Sequence, residues 1–174
     1  EAILSIRQSR VGFKAELPDT NKRTKIWFEW DYFGGSAESP DFRVRHLFVE
    51  YGQFGAGQTW TGFMDIDIFP NTIDYWGPNG MVFIRKEQLR YHMPLSEGSN
   101  LFFTLEDPDA DIDCAGPCPA SIKTQSLLPD FTARYRQDGD FGHWQVAGIL
   151  RYLKAENTTA NDDDTAIGLS LIHI

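Results

Sequence analysis

The chain has 174 residues with 25 acidic and 16 basic side chains, a net charge of −9; that suits one domain with a sizeable core and disfavours non-specific attraction to nucleic acid. No apolar run approaches the roughly 18 residues of a membrane-spanning helix, which excludes helical membrane proteins. It does not exclude a transmembrane β-barrel, whose strands cross with only ~9–11 residues.

Glu1 opens directly into a strand, so any targeting segment is expected to lie outside this sequence. Period-2 alternation and β-branched or aromatic enrichment predict about eight strands, the first over residues 4–17. There Val11, Phe13, Ala15 and Leu17 alternate with Arg10, Lys14 and Glu16. The second runs over 23–33 and the third over 42–51. The third breaks the rule: Arg43 and Arg45 share a parity with Leu47, Val49 and Tyr51. A β-bulge or a protein-packed outer face is needed to separate them.

A fourth strand over 55–62 leads into a long connection. From Met64 to Gly80 neither a 2-residue nor a 3.6-residue apolar period holds, and a connection this long usually has a function. Ile66, Phe69 and Trp76 suit packing against a wall, Pro70, Pro78 and Gly80 suit reversals, and Asp65, Asp67 and Asp74 suit water. Such a loop can fold back into a pore, although a solvated surface loop satisfies the composition equally well.

The fifth strand, 82–93, sets Leu89, Tyr91 and Met93 against Lys86, Gln88, Arg90 and His92, and the sixth covers 100–107. Asp107, Asp109, Asp111 and Asp113 follow, spaced like calcium ligands but without the glycine and distal glutamate of an EF-hand loop. They read as a solvated loop tip that divalent ions can bridge to lipopolysaccharide. Cys114 and Cys118, in CAGPC, suggest a local disulfide in an oxidising compartment; a two-cysteine metal site lacks further ligands at useful spacing. Closing so small a ring is expected to stabilise by only ~1–2 kcal/mol. Two reactive thiols per chain in denatured, unreduced protein would refute the bond.

The seventh strand, 130–137, opposes Phe131, Ala133 and Tyr135 to Thr132, Arg134 and Arg136, and the eighth, 142–153, opposes Trp144, Val146, Leu150 and Tyr152 to Gln145 and Arg151. The last six residues, Leu169 to Ile174, match the translation of a transposase adapter used in sequencing libraries. The native sequence is therefore expected to end near Gly168, with 169–174 a scar; an ordinary apolar strand is the alternative.

The connections alternate in length. LPDTNKR, GQF, PLSEGSN and QDGDF are tight, while FGGSAESPD, Met64–Gly80 and the segment 108–129 are long. Up-and-down barrels of the bacterial outer membrane have this asymmetry, with short periplasmic turns and long outer loops. The fold class expected is thus an all-β, antiparallel up-and-down porin-type barrel. It is present here over residues 1–168 as an open curved sheet, with 64–80 as the constriction loop.

A soluble β-sandwich carbohydrate-binding module is the alternative, and extraction into detergent separates the two. A barrel enzyme is disfavoured: no HExxH, no GxSxG and no nucleophile–base spacing occurs, so no catalytic residue, metal or cofactor is assigned.

Five stretches carry a family resemblance: RQSRVGF (7–13), FEWDYFGG (28–35), RVRHLFVEYGQFGAGQTWTGFMD (43–65), IDYWGPNG (73–80) and FIRKEQLRY (83–91). They resemble the DcaP-like outer-membrane channels of Gram-negative bacteria. The resemblance implies a 16-stranded homotrimeric porin passing small anionic solutes, dicarboxylates among them, through an arginine-lined constriction. Its partners would be those solutes, outer-membrane lipid and lipopolysaccharide.

On this reading Arg43, Arg45, Lys86, Arg90, Arg134 and Arg136 line the pore, with Arg43, Arg45 and Arg90 dominating selectivity. Asp65, Asp67, Asp74 and Trp76 belong to the constriction loop. Gly55, Ala56 and Gly57 would let that loop or a neighbouring subunit come close to the wall.

Overall fold

A computed structural model describes residues 5–17, 22–36, 38–69, 83–108, 122–157 and 162–173. The strands are β1 (Arg10–Leu17), β2 (Thr24–Gly35), β3 (Pro40–Tyr51), β4 (Phe54–Trp60), β5 (Arg85–Ser96), β6 (Ser99–Glu106), β7 (Ile122–Gln125), β8 (Asp130–Gly139), β9 (Gly142–Asn157) and β10 (Asp162–His173). All lie in one antiparallel sheet in chain order, with β1 and β10 as its open ends and β7 beside β9. Asp74, Trp76, Cys114 and Cys118 fall outside the described residues.

The eight expected strands form, and two more join them. β7 and β8 are in effect one interrupted strand along the same edge of β9, because Gln125 faces Lys154 and Phe131 faces Leu150. The chain there advances six residues while β9 advances four, so the break is a two-residue excess. β10 pairs with β9 from Asp162 opposite Asn157 to His173 opposite Val146.

Besides β7, which forms inside the expected long segment 108–129, the connections differ from expectation at the first long loop. The first long loop shrinks to residues 36–39, because β2 continues to Gly35 and β3 already begins at Pro40. Both strands use backbone that polar and small side chains had marked as loop, and a register shift between Asp31 and Gly34 absorbs the mismatch. The segments between β4 and β5 and between β6 and β8 remain long. At the opposite end, Tyr51 pairs with Phe54 across a two-residue turn in which Gly52 takes φ +62°, the left-handed geometry that tight hairpins require.

The sheet is inside-out by the standard of a soluble domain. Phe54 and Leu89 are 66% and 61% exposed, while Thr132 and Thr104 on the other face are 0% and 1% exposed. Cross-strand aromatic pairs run along the apolar face, among them Phe13–Phe28 at 5.8 Å, Phe54–Tyr91 at 5.0 Å and Tyr135–Trp144 at 5.1 Å. A sandwich would need a second sheet over this face, and the described strands supply only one. Apolar residues outward and polar residues inward is the alternation that a lipid-facing barrel strand needs.

One register detail makes the alternation work. Glu29 pairs with His46 and Trp30 with Val44, which leaves Arg45 as a bulged residue. The extra residue resets the parity, so Leu47, Val49 and Tyr51 face outward while Arg43 and Arg45 reach carboxylates on the polar face. Gln58 caps the distortion by donating from Nε2 to the carbonyls of Val44 and Arg45. The bulge that the sequence demands is present.

The outer face carries a stability consequence. Leu89→Arg would place a charge among Val49, Ala56 and Leu105, and such changes near a bilayer midplane destabilise barrels by ~2–4 kcal/mol. Urea titration of the complete protein in lipid vesicles is expected to show that loss.

Candidate functional site

The polar face is divided into two charged clusters with a loop folded against one of them. On β2 and β3, Asp31 accepts hydrogen bonds from Arg43 Nε and Nη2 at 2.9 and 2.6 Å and from Arg45 Nη1 at 2.8 Å. Arg45 Nε donates to Glu29 at 2.7 Å, and Arg10 lies 3.3 Å from the same carboxylate. Bidentate guanidinium–carboxylate geometry of this kind is the strong form of the interaction. Arg45 is buried, whereas the Arg43 side chain keeps 40% exposure. Three cations against two carboxylates leave the cluster one charge positive.

Arg85 adds to that positive field. Its guanidinium stacks over Trp60 at 4.8 Å, and it lies within electrostatic reach of Arg45, Arg43, Asp31 and Arg10. Its Nη1 is buried without a hydrogen-bond partner. Strict alternation pairs Arg85 with Glu87 on the outer face, which is why sequence reasoning passed over it. The signal that finds it is its register opposite Trp60, at the point where β5 emerges from the loop.

The second cluster lies across β8, β9 and the chain that follows β4. After β4 the chain turns onto the polar face instead of away from it, and Phe63, Met64 and Asp65 become buried there. Arg136 bridges Asp67 at 2.7 Å, Asp65 at 3.6 Å and Asp138 at 2.9 Å. His143 Nε2 lies 2.7 Å from Asp65, and Arg134 Nη1 donates to the Met64 carbonyl at 3.3 Å. The ligand atoms of Asp65, Asp67 and His143 converge within 4.8 Å, close enough to hold a metal ion. Arg136 already supplies the cation at that point, so the group works as an ion-pair network that fastens the loop.

The remaining expected residues also sit on the polar face. Lys86 is buried. Arg90 donates to Gln88 Oε1 at 2.8 Å and to the Trp60 carbonyl at 3.0 Å, with its guanidinium over Phe48 at 5.1 Å. Arg134 lies over Phe102 at 4.2 Å. Among the described residues no carboxylate forms a salt bridge with Arg85, Arg90 or Arg134.

The small residues of β4 have a use within their own sheet. A Cβ at Gly55 would stand 2.9 Å from Cε1 of Phe48, so Gly55 makes room for its own wall. Gly57 adopts φ +119°, where a side chain would be strained in any surroundings.

A family model described as DcaP outer membrane protein matches residues 2–171. Among solved structures, the chain is similar to the outer membrane channel DcaP of Acinetobacter baumannii, with a TM-score of 0.80 and 24% identity. The match covers 97% of this chain and 47% of that one, so the chain spans about half the length of that relative. A comparison with curated proteins found no match.

Proposed function

The chain belongs to the DcaP outer membrane protein family, a protein of the outer membrane, and on that premise we propose that the complete protein is a passive channel preferring small anionic, dicarboxylate-like solutes. The residues described here would form about half of its wall and the root of the loop that narrows it.

The observation that carries the reading is the imbalance of charge on the polar face. The loop carboxylates Asp65 and Asp67 are engaged by Arg136 and His143, which reduces the negative charge they present to the lumen. Arg90 and Arg134 contact only neutral acceptors and aromatic rings, and the carboxylates of Glu50, Asp65 and Glu106 act on them only at a distance, so their charge is less compensated than that of Arg45. Rings of arginine or lysine in a constriction favour anions. The overall charge of −9 does not oppose this, because only charges within a Debye length (~8 Å at physiological salt) of the narrow region act on the ion.

Two further parts of the reading concern partners. The exposed aromatic face would contact lipid, with lipopolysaccharide at the outer loops, and the complete channel would assemble as a homotrimer. Reversal potentials across a planar bilayer in a salt gradient test the main claim. Anion preference is expected, and cation preference in the unmodified channel would sink it.

A further inference from the structure

We infer that Glu106 is a positioning residue for the constriction: its carboxylate pins the root of the loop to the wall and thereby sets the channel's width. The inference rests on the reading of loop and lumen given above.

Glu106 ends β6 and is 2% exposed. Its two oxygens receive three hydrogen bonds, from the Thr61 hydroxyl at 2.5 Å, the Gly62 amide at 2.6 Å and the Thr104 hydroxyl at 2.7 Å. Two of these donors belong to the first two residues after β4, where the loop is rooted. Among the described residues every contact is a neutral donor, and the charge is balanced only at a distance, by Arg90 and Arg134. A buried carboxylate without a contacting cation is costly unless hydrogen bonds satisfy it, and these donors do so. The arrangement therefore holds only while the loop root stays in place.

The loop side is shaped to match. A Cβ on Gly62 would come 2.8 Å from the Thr104 hydroxyl and closer still to that of Thr132, distances that real Cβ atoms do not reach. The bare Gly62 backbone thus lies flat on two threonines that hydrogen-bond each other. Thr61 continues the turn by accepting from the Phe63 amide at 3.2 Å. Three residues further on, Arg134 and Arg136 take hold of Met64, Asp65 and Asp67. The loop is fixed first by a wall carboxylate and then by wall cations, with the signs reversed.

Single-channel recording on the complete channel tests this. Glu106→Ala is expected to raise open-channel noise severalfold and to split the conductance into several levels. Glu106→Gln, which keeps an acceptor oxygen, should restore much of the single level. Thr61→Val, which removes one donor and leaves the charge, should raise the noise in part, and combining it with Glu106→Ala should add nothing.

Gly62→Ala leaves Glu106 untouched but lifts the loop off the threonines toward the lumen, so a lower conductance is expected. It decides the matter if Glu106→Ala fails to assemble. Wild-type conductance and noise in heat-modifiable, assembled Glu106→Ala or Gly62→Ala channels would overturn the inference. Reversal potentials taken on the same membranes keep the two claims apart: a cation-preferring wild-type channel would end the anion reading and leave these effects on width intact.

Discussion

Replacing Arg90 and Arg134 together by alanine is expected to abolish most of the anion preference of the complete channel, whereas Arg45→Ala changes it less. The difference follows from who holds each charge. Arg45 donates to both Glu29 and Asp31, so its charge is already met by two carboxylates before an ion passes. Arg43 shares Asp31 but keeps 40% exposure, and an intermediate effect is expected for it. Arg90 and Arg134 hold no carboxylate among the described residues. Two unit charges ~4 Å apart interact by about 4 kcal/mol at the effective dielectric of a protein surface, so even a fraction of that term changes permeability ratios severalfold. Arg85→Ala belongs with the larger group, because its Nη1 is unpartnered in a cationic surrounding. Bi-ionic reversal potentials check the order: an Arg45→Ala effect as large as that of the double variant would refute it.

The same comparison marks how far the sequence could be read. Alternation placed Lys86, Arg90, Arg134 and Arg136 on the polar face because each lies in a stretch of strand whose register is regular. Parity also exposed its own failure at Arg43 and Arg45, and the Arg45 bulge resolves it. What stayed hidden is how charge is shared between strands. Asp31 lies 12 residues from Arg43 and 14 from Arg45, and only the pairing of β2 with β3 brings them together.

The loop gave up its residue types but not its fastening. Arg136 meets Asp67 across 69 positions, and Glu106 meets Gly62 across 44. Arg85 escapes alternation for a different reason: it is the first residue of its strand, where the loop and Trp60 decide direction. Period-2 reasoning holds inside a strand and lapses at its ends.

Asp31→Ala is expected to be the most damaging single change in the described part of the wall, costing about 3–5 kcal/mol of folding stability, as the loss of one partner from a buried ion cluster does. The Asp31 side chain is 3% exposed and that of Arg45 is 8% exposed, so water cannot readily replace the lost carboxylate. Arg45 would retain only Glu29, which already serves Arg10. Arg43 is more exposed and would turn to solvent, so its share of the loss is smaller.

The damage extends to the backbone. Asp31 Oδ1 also accepts from the Phe33 amide at 3.0 Å, next to the register shift that lets β2 run on to Gly35. Without that acceptor the end of β2 and the short connection to β3 lose their anchor. Asp31→Asn separates the two roles, because the amide oxygen can still accept from Phe33 while the charge is gone. Urea unfolding of the refolded channel in vesicles is expected to rank the alanine variant below asparagine and both below wild type. Equal stability of all three would mean that the cluster stores charge for the pore without holding the wall together.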